Sequence, residues 1–287
     1  MLLLPMCAGA QTLLPDATSA DKLGWQLAMH SYTFRKFPIY AVINKTAELG
    51  LHYMSISGHL ILDGTNSIGT LPLTEQDMQA IRDKMKTAGI DPKFVNMGVM
   101  QLPPDEARSR EVFEFAKKYG IDIIVAEPEP AALDTVEKLC KEYNIRVAIH
   151  DHPKPSHYWN PDTVLEAIKG RTPLMGACAD VGHWARSGLN PVECLKKLEG
   201  HIFCLHFKDL NEAGPKAHDV PWGTGVCQDK EMMAELKRQN FHGAFCVEYE
   251  YNWDNSQPEI AQCVKFFNAT CDELVTSDSK LNTPSSK

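Results

Sequence analysis

The sequence predicts a single (β/α)8 barrel, and three observations carry that reading. Eight short β-branched or apolar runs alternate with eight stretches of helical period. Together they span about 250 residues, the usual length of such a barrel. The turn after the first run reads SYTFRKF and lacks the glycines that a doubly wound dinucleotide-binding fold needs there.

The elements follow in order. The first strand run, 25–33 (WQLAMHSYT), leads to a helical pattern near 40–49 that Gly50 closes. The second, 52–59 (HYMSISGH), leads to 74–88 and Gly89, and the third, 91–99 (DPKFVNMGV), to 104–119 and Gly120. A glycine just past a helix accepts the left-handed conformation that ends it. The next three runs are 121–128 (IDIIVAEP), 145–152 (IRVAIHDH) and 175–183 (MGACADVGH). Their helices, near 130–143, 161–169 and 191–199, open on Pro130, Pro161 and Pro191, whose missing N–H costs nothing in a first turn. The last runs, 202–209 (IFCLHFKD) and 243–250 (GAFCVEYE), precede helices near 229–239 and 257–274. The barrel domain is thus expected over 22–275.

Both ends read differently. Residues 1–10 are apolar and uncharged, with Ala8-Gly9-Ala10 in the small-x-small form of a signal-peptidase site, so a leader over 1–11 and export to a bacterial periplasm are expected. Residues 276–287 are polar and read as a disordered tail. Of nine cysteines, Cys7 leaves with the leader, and the other eight show no CxxC or framework spacing. They read as small packing residues.

Composition excludes some functions. The chain of 287 residues is 44% hydrophobic, with 29 Lys and Arg against 37 Asp and Glu, a net charge of −8. An acidic chain without a basic block is poorly suited to a phosphate backbone, so nucleic acid is not the expected partner. No run of about 18 apolar residues exists to form a membrane span.

The chemistry lies at the strand ends, where barrels of this kind carry their reactive groups. The fourth run ends in Glu127, the fifth in His150-Asp151-His152, and the sixth in Asp180 with His183. The seventh ends in His206, Lys208 and Asp209, and the eighth in Glu248 and Glu250. Residues i and i+2 of a strand share a face, so His150 and His152, like His206 and Lys208, can both face the barrel mouth. Imidazoles and carboxylates converging on one rim are what a divalent metal needs. Trp184, Trp222, Tyr158 and Trp159 are candidate apolar walls for a bound ring, and His30 and His59 candidate contacts from the first two strands.

These residues also carry a resemblance. DVGHW at 180–184, LHFKD at 205–209 and VEYE at 247–250 resemble the strand signatures of xylose isomerase-like TIM barrels, a superfamily of sugar isomerases, epimerases and related dehydratases and lyases. The resemblance implies one metal held by His150, Asp180, His206 and Glu248, with His183 on the substrate. One departure matters: where many such epimerases carry a glutamate on the fifth strand, this chain has His150. The strings AIHDHPKPSHYWNPDTVL, CADVGHWARSGL and HDVPWGTG most resemble exported members acting on 3-keto-glycosides, which implies β-elimination.

The expected reaction is therefore metal-assisted proton removal next to a sugar ketone. Elimination from a 3-keto-glycoside is the leading outcome and isomerisation or epimerisation of an unphosphorylated sugar the alternative. Glu248, His152 and Glu127 are the candidate bases, and Lys208 is a candidate to polarise a hydroxyl or hold the leaving group. Two imidazoles and two carboxylates favour Mn, Co, Ni, Fe or Zn over Mg or Ca. The expected ligand is a small sugar or glycoside, and a homo-oligomer is compatible with the sequence. An endonuclease IV-like repair enzyme would need a basic face, and a non-catalytic sugar-binding barrel would need no metal.

Overall fold

The computed structural model describes residues 17–281, so the leader expected at 1–11 lies outside the described residues, as do 282–287. Eight parallel strands form the barrel: β1 Trp25–His30, β2 Tyr53–Ser55, β3 Met97–Leu102, β4 Ile123–Pro128, β5 Arg146–His150, β6 Met175–Asp180, β7 Ile202–Phe207 and β8 Gly243–Val247. Their order is β2-β1-β8-β7-β6-β5-β4-β3. The two ends of that order meet through a parallel bridge between Ile56 and Met97, and Gly98 N–H donates to the Ile56 carbonyl at 2.8 Å.

Among the described residues ten α-helices accompany the strands: α1 Ser19–Lys22, α2 Ile39–Glu48, α3 Glu75–Thr87, α4 Glu106–Lys118, α5 Leu133–Tyr143, α6 Pro161–Ile168, α7 Val181–Arg186, α8 Pro191–Lys197, α9 Asp229–Arg238 and α10 Gln257–Leu281. Gly50, Gly89 and Gly120 stand at φ 73°, 78° and 68° just past their helices. Two antiparallel ribbons rise from the same end of the barrel, His59–Ile61 with Ser67–Gly69 and Asp209–Leu210 with Asp219–Val220.

Several elements differ from the sequence reading, the first, second and eighth strands being shorter than their runs, over Trp25–His30, Tyr53–Ser55 and Gly243–Val247. The third strand spans Met97–Leu102 rather than 91–99, and its register against β4 shifts between Gly98 and Gln101. The sixth stops at Asp180, whose side chain accepts the His183 N–H at 2.8 Å and so caps α7. Of the tail expected over 276–287, the described part is helical, since α10 runs to Leu281.

Two cores hold the barrel. The larger lies between strands and helices, where Trp25, Phe245 and Phe267 pack together and Trp25 Nε1 donates to the Phe241 carbonyl at 2.9 Å. The smaller fills the barrel itself with Ala28, Ile123, Val125, Ala148, Cys178, Cys204, Ala244 and Cys246. Small side chains are what a closed eight-stranded interior accommodates. All eight described cysteines are buried and unpaired.

Candidate metal centre

The interior core dictates where the chemistry lies. Two residues beyond each of six interior side chains, on the same strand face and about 6.6 Å further along, stands a polar group. Ala28 leads to His30, Val125 to Glu127, Ala148 to His150, Cys178 to Asp180, Cys204 to His206 and Cys246 to Glu248. All but Asp180 line one cavity of about 190 Å³ at the barrel mouth.

His150, Asp180, His206 and Glu248 are buried, and one ligand atom from each lies within 4.8 Å of the others. His150 Nε2 is 3.2 Å from His206 Nδ1 and 3.6 Å from Asp180 Oδ2, and His206 Nδ1 is 3.0 Å from Glu248 Oε2. Ligands about 2.1 Å from a common ion sit roughly 3–3.4 Å apart, so this group fits a divalent metal with little movement. Apart from its ion pair with Lys208, Asp180 Oδ2 has no hydrogen-bond partner, which leaves a buried lone pair for a cation.

Lys208 stands beside the group with its side chain fully buried. Its Nζ lies 2.8 Å from Asp180, 2.7 Å from Glu248 and 2.8 Å from Glu250. Burial alone would raise the Asp180 and Glu248 carboxyls, but the ammonium and the facing imidazoles outweigh it and hold both below the usual range. Gly182 makes room for this lysine, since a Cβ there would stand 2.8 Å from Lys208 Cβ. Lys208 does not line the cavity, which corrects its expected contact with a hydroxyl or leaving group.

Glu127 and His152 form a second pair on the opposite wall. Glu127 Oε1 accepts from His152 Nδ1 and, at 2.8 Å, from the His152 backbone N–H, while Oε2 accepts from Ser156 Oγ at 2.8 Å. Despite burial, the facing His150 and His152 hold Glu127 well below the ordinary carboxylate range. Glu127, His150 and His152 could also gather a cation. With both Glu127 oxygens already accepting, the group reads better as a carboxylate that orients an imidazole.

The remaining expected residues divide. His30, His59 and His183 line the cavity. Trp184 and Trp222 do not, and the expectation that they wall a sugar ring is corrected. Both are buried in the outer core, Trp222 against Phe207 at a ring distance of 4.8 Å. Tyr158 is buried with its hydroxyl on the Pro128 carbonyl, and Lys154 lies 3.9 Å over the Trp159 ring; neither tyrosine nor tryptophan lines the cavity. Sequence reasoning missed the neutral wall of Tyr32, Ser57, Gly58, Gly98, Val99 and Met100. It also missed Arg186, whose guanidinium meets Asp219 at 2.8 Å and Glu250 at 3.0 Å. Only the position of Arg186 three residues beyond His183, on the same helix face, could have signalled it.

Comparison with known proteins follows this geometry. A family model described as xylose isomerase-like TIM barrel matches residues 43–270. A crystal structure of an uncharacterised protein from Parabacteroides distasonis is 33% identical, covers 85% of this chain and 98% of its own, and superposes with a TM-score of 0.67. A xylose isomerase-like TIM barrel protein from Mycobacterium smegmatis in complex with magnesium is 13% identical, with 90% and 99% covered and a TM-score of 0.69. A D-allulose 3-epimerase from Methylomonas sp. in complex with D-allulose is 12% identical, with 86% and 97% covered and a TM-score of 0.65. At those low identities the last two show the fold alone. No curated protein gives a match. With the family model spanning most of its length, the chain belongs to the xylose isomerase-like TIM barrel family.

Proposed function

We propose that this protein is a divalent-metal-dependent sugar enzyme that removes a proton next to a sugar carbonyl and returns it, as an isomerase or epimerase of unphosphorylated sugars. One observation carries this reading. Glu248 on β8 and the Glu127–His152 pair at the β4 and β5 ends line the same cavity from facing walls, β4 and β8 being four strands apart in an eight-stranded ring.

A divalent ion held by His150, Asp180, His206 and Glu248 would polarise the carbonyl oxygen and acidify the adjacent C–H. Glu248, kept ionised by Lys208 and His206, is placed to take that proton. His152 gives its Nδ1–H to Glu127, which leaves Nε2 free for proton transfer on the other face. The pair thus supplies the second acid/base group that the histidine at position 150 removes from the fifth strand. Among the described residues no Lys or Arg lines the cavity, which suits a sugar without phosphate. The D-allulose 3-epimerase among the similar folds is in keeping with this reading. An exported protein would also meet few phosphorylated sugars.

A second reading is β-elimination from a 3-keto-glycoside, with the same first step. It is favoured by the apolar Val99 and Met100 at the cavity mouth, which would accept a leaving group, and Met100 is 63% exposed. There the proton leaves C2, the C1–O bond to the aglycone breaks, and a 2-hydroxy-glycal ketone results.

The experiment offers metal-loaded protein free ketoses in D2O and, separately, a 3-keto-glucoside with a chromogenic aglycone, with mass spectrometry of the products. A chelator and Glu248→Gln serve as controls. Deuterium at the carbon next to the carbonyl, abolished by both controls, is the expected result. Aglycone release without exchange into free sugars would replace it with the elimination reading. Neither signal would overturn both.

A further inference from the structure

We propose that two buried hydrogen-bond chains fix His183 and His30 in opposite tautomers, so that one offers a donor and the other an acceptor to the same bound molecule. On the first side, Arg186 NH1 lies 3.1 Å from His183 Nδ1. A guanidinium can only donate, so Nδ1 is the acceptor and the proton of the neutral ring lies on Nε2. Asp219 and Glu250 anchor Arg186, at 2.8 and 3.0 Å, and prevent it from turning away. The His183 backbone N–H is itself fixed on Asp180 Oδ1.

On the other side, Ser55 gives its single hydroxyl proton to Asn96 Oδ1. Its oxygen, 2.9 Å from His30 Nδ1, must therefore accept there, which places the His30 proton on Nδ1 and leaves Nε2 bare. Asn96 is oriented by its Nδ2, which donates to Cys246 Sγ at 3.4 Å. Both rings are buried, His183 against the Arg186 guanidinium and His30 against the His206 ring at 4.7 Å, surroundings that suit neutral imidazoles.

The two free edges ask for different partners. His183 Nε2–H, 3.5 Å from Asp180 Oδ2, donates to an oxygen that only accepts, such as a ketone or the enediolate it becomes. His30 Nε2, 3.6 Å from Glu248 Oε1, is an acceptor beside a carboxylate, and a hydroxyl proton satisfies that arrangement. A carbonyl flanked by a hydroxyl matches both. That assignment rests on the sugar reading above; the tautomers themselves do not. Arg186 is a positioning residue, and it makes His183 a donor rather than a base.

Zinc-loaded protein labelled with 15N-histidine tests this in long-range 1H–15N correlation spectra, with His183→Asn and His30→Asn to assign the rings. The resting protein is expected to show Nε2–H for His183 and Nδ1–H for His30. Arg186→Met should disturb the His183 pattern alone and lower kcat about 10–100-fold with little change in KM. Arg186→Lys, which keeps a donor, should restore the tautomer, and Ser55→Ala should disturb His30 alone. The same tautomer on both rings, a proton on both nitrogens of either, or patterns unmoved by these substitutions would overturn the inference. Opposite tautomers in a protein that exchanges hydrogen into no ketose and cleaves no keto-glycoside would leave it standing and remove the sugar reading instead.

Discussion

The barrel mouth has two unlike halves. From β4 to β8 it presents carboxylates and imidazoles, with Asp180, Glu248 and Glu250 around the buried Lys208 ammonium and Glu127 on His152. From β1 to β3 it presents hydroxyls, backbone and apolar side chains, with His30 and His59 as its cavity-lining histidines. The charged half can hold a cation and move protons; the neutral half can only shape what binds. The difference teaches that chemistry and recognition are separable here, and each can be disturbed alone.

The largest effect belongs to the charged half. Asp180→Asn removes an ionised donor and one partner of Lys208, and activity should fall by roughly 10³-fold or more, as assayed with saturating metal. Next comes Lys208→Met, which leaves three carboxylates without their shared cation. The metal-free protein should lose about 3–5 kcal/mol by chemical denaturation, and added zinc should recover much of that loss. Equal destabilisation with and without zinc would separate the lysine from the metal group.

In the neutral half, Gly98 faces the cavity with His30 Cε1 3.6 Å from where a Cβ would stand. Gly98→Val should raise KM with kcat and metal content nearly unchanged. A matching fall in metal content would show that the two halves are not separable.

The smallest effect is one of pH. Burial pushes the Asp219 carboxyl up to about 6, although Lys208 and Arg186 oppose it. The folded chain thus keeps that proton to a higher pH than the unfolded chain, which releases it near pH ~4. The stability this group contributes is full below that value and is lost as the pH rises through 6. Asp219→Asn should flatten this part of the stability–pH curve between pH 4 and 7, measured by denaturant midpoints.

The same contrast explains what the sequence made legible. The charged half was readable because polar residues at the ends of apolar runs are anomalous, and the two-residue period aims them at the mouth. That pattern gave the converging rim, and the resemblance of DVGHW, LHFKD and VEYE to xylose isomerase-like signatures singled out His150, Asp180, His206 and Glu248 as the metal set. The neutral half was not readable. Its wall depends on a register shift at Gly98 and on close backbone approach at Gly58, where a Cβ would lie 3.0 Å from the Gly98 carbonyl oxygen. Neither leaves a pattern in residue types. Trp184 and Trp222 misled for the opposite reason, since an aromatic after a strand looks the same whether it faces a ligand or the outer core. Arg186 was hidden because its partners, Asp219 and Glu250, come from distant parts of the chain.

The most direct test is metal content. Purified protein loaded with zinc or manganese and dialysed against metal-free buffer should retain one ion per chain by elemental analysis, while Asp180→Asn and His206→Ala retain far less. A parent protein that keeps no ion, or variants that keep as much as the parent, would contradict the assignment of this strand-end group as a metal centre.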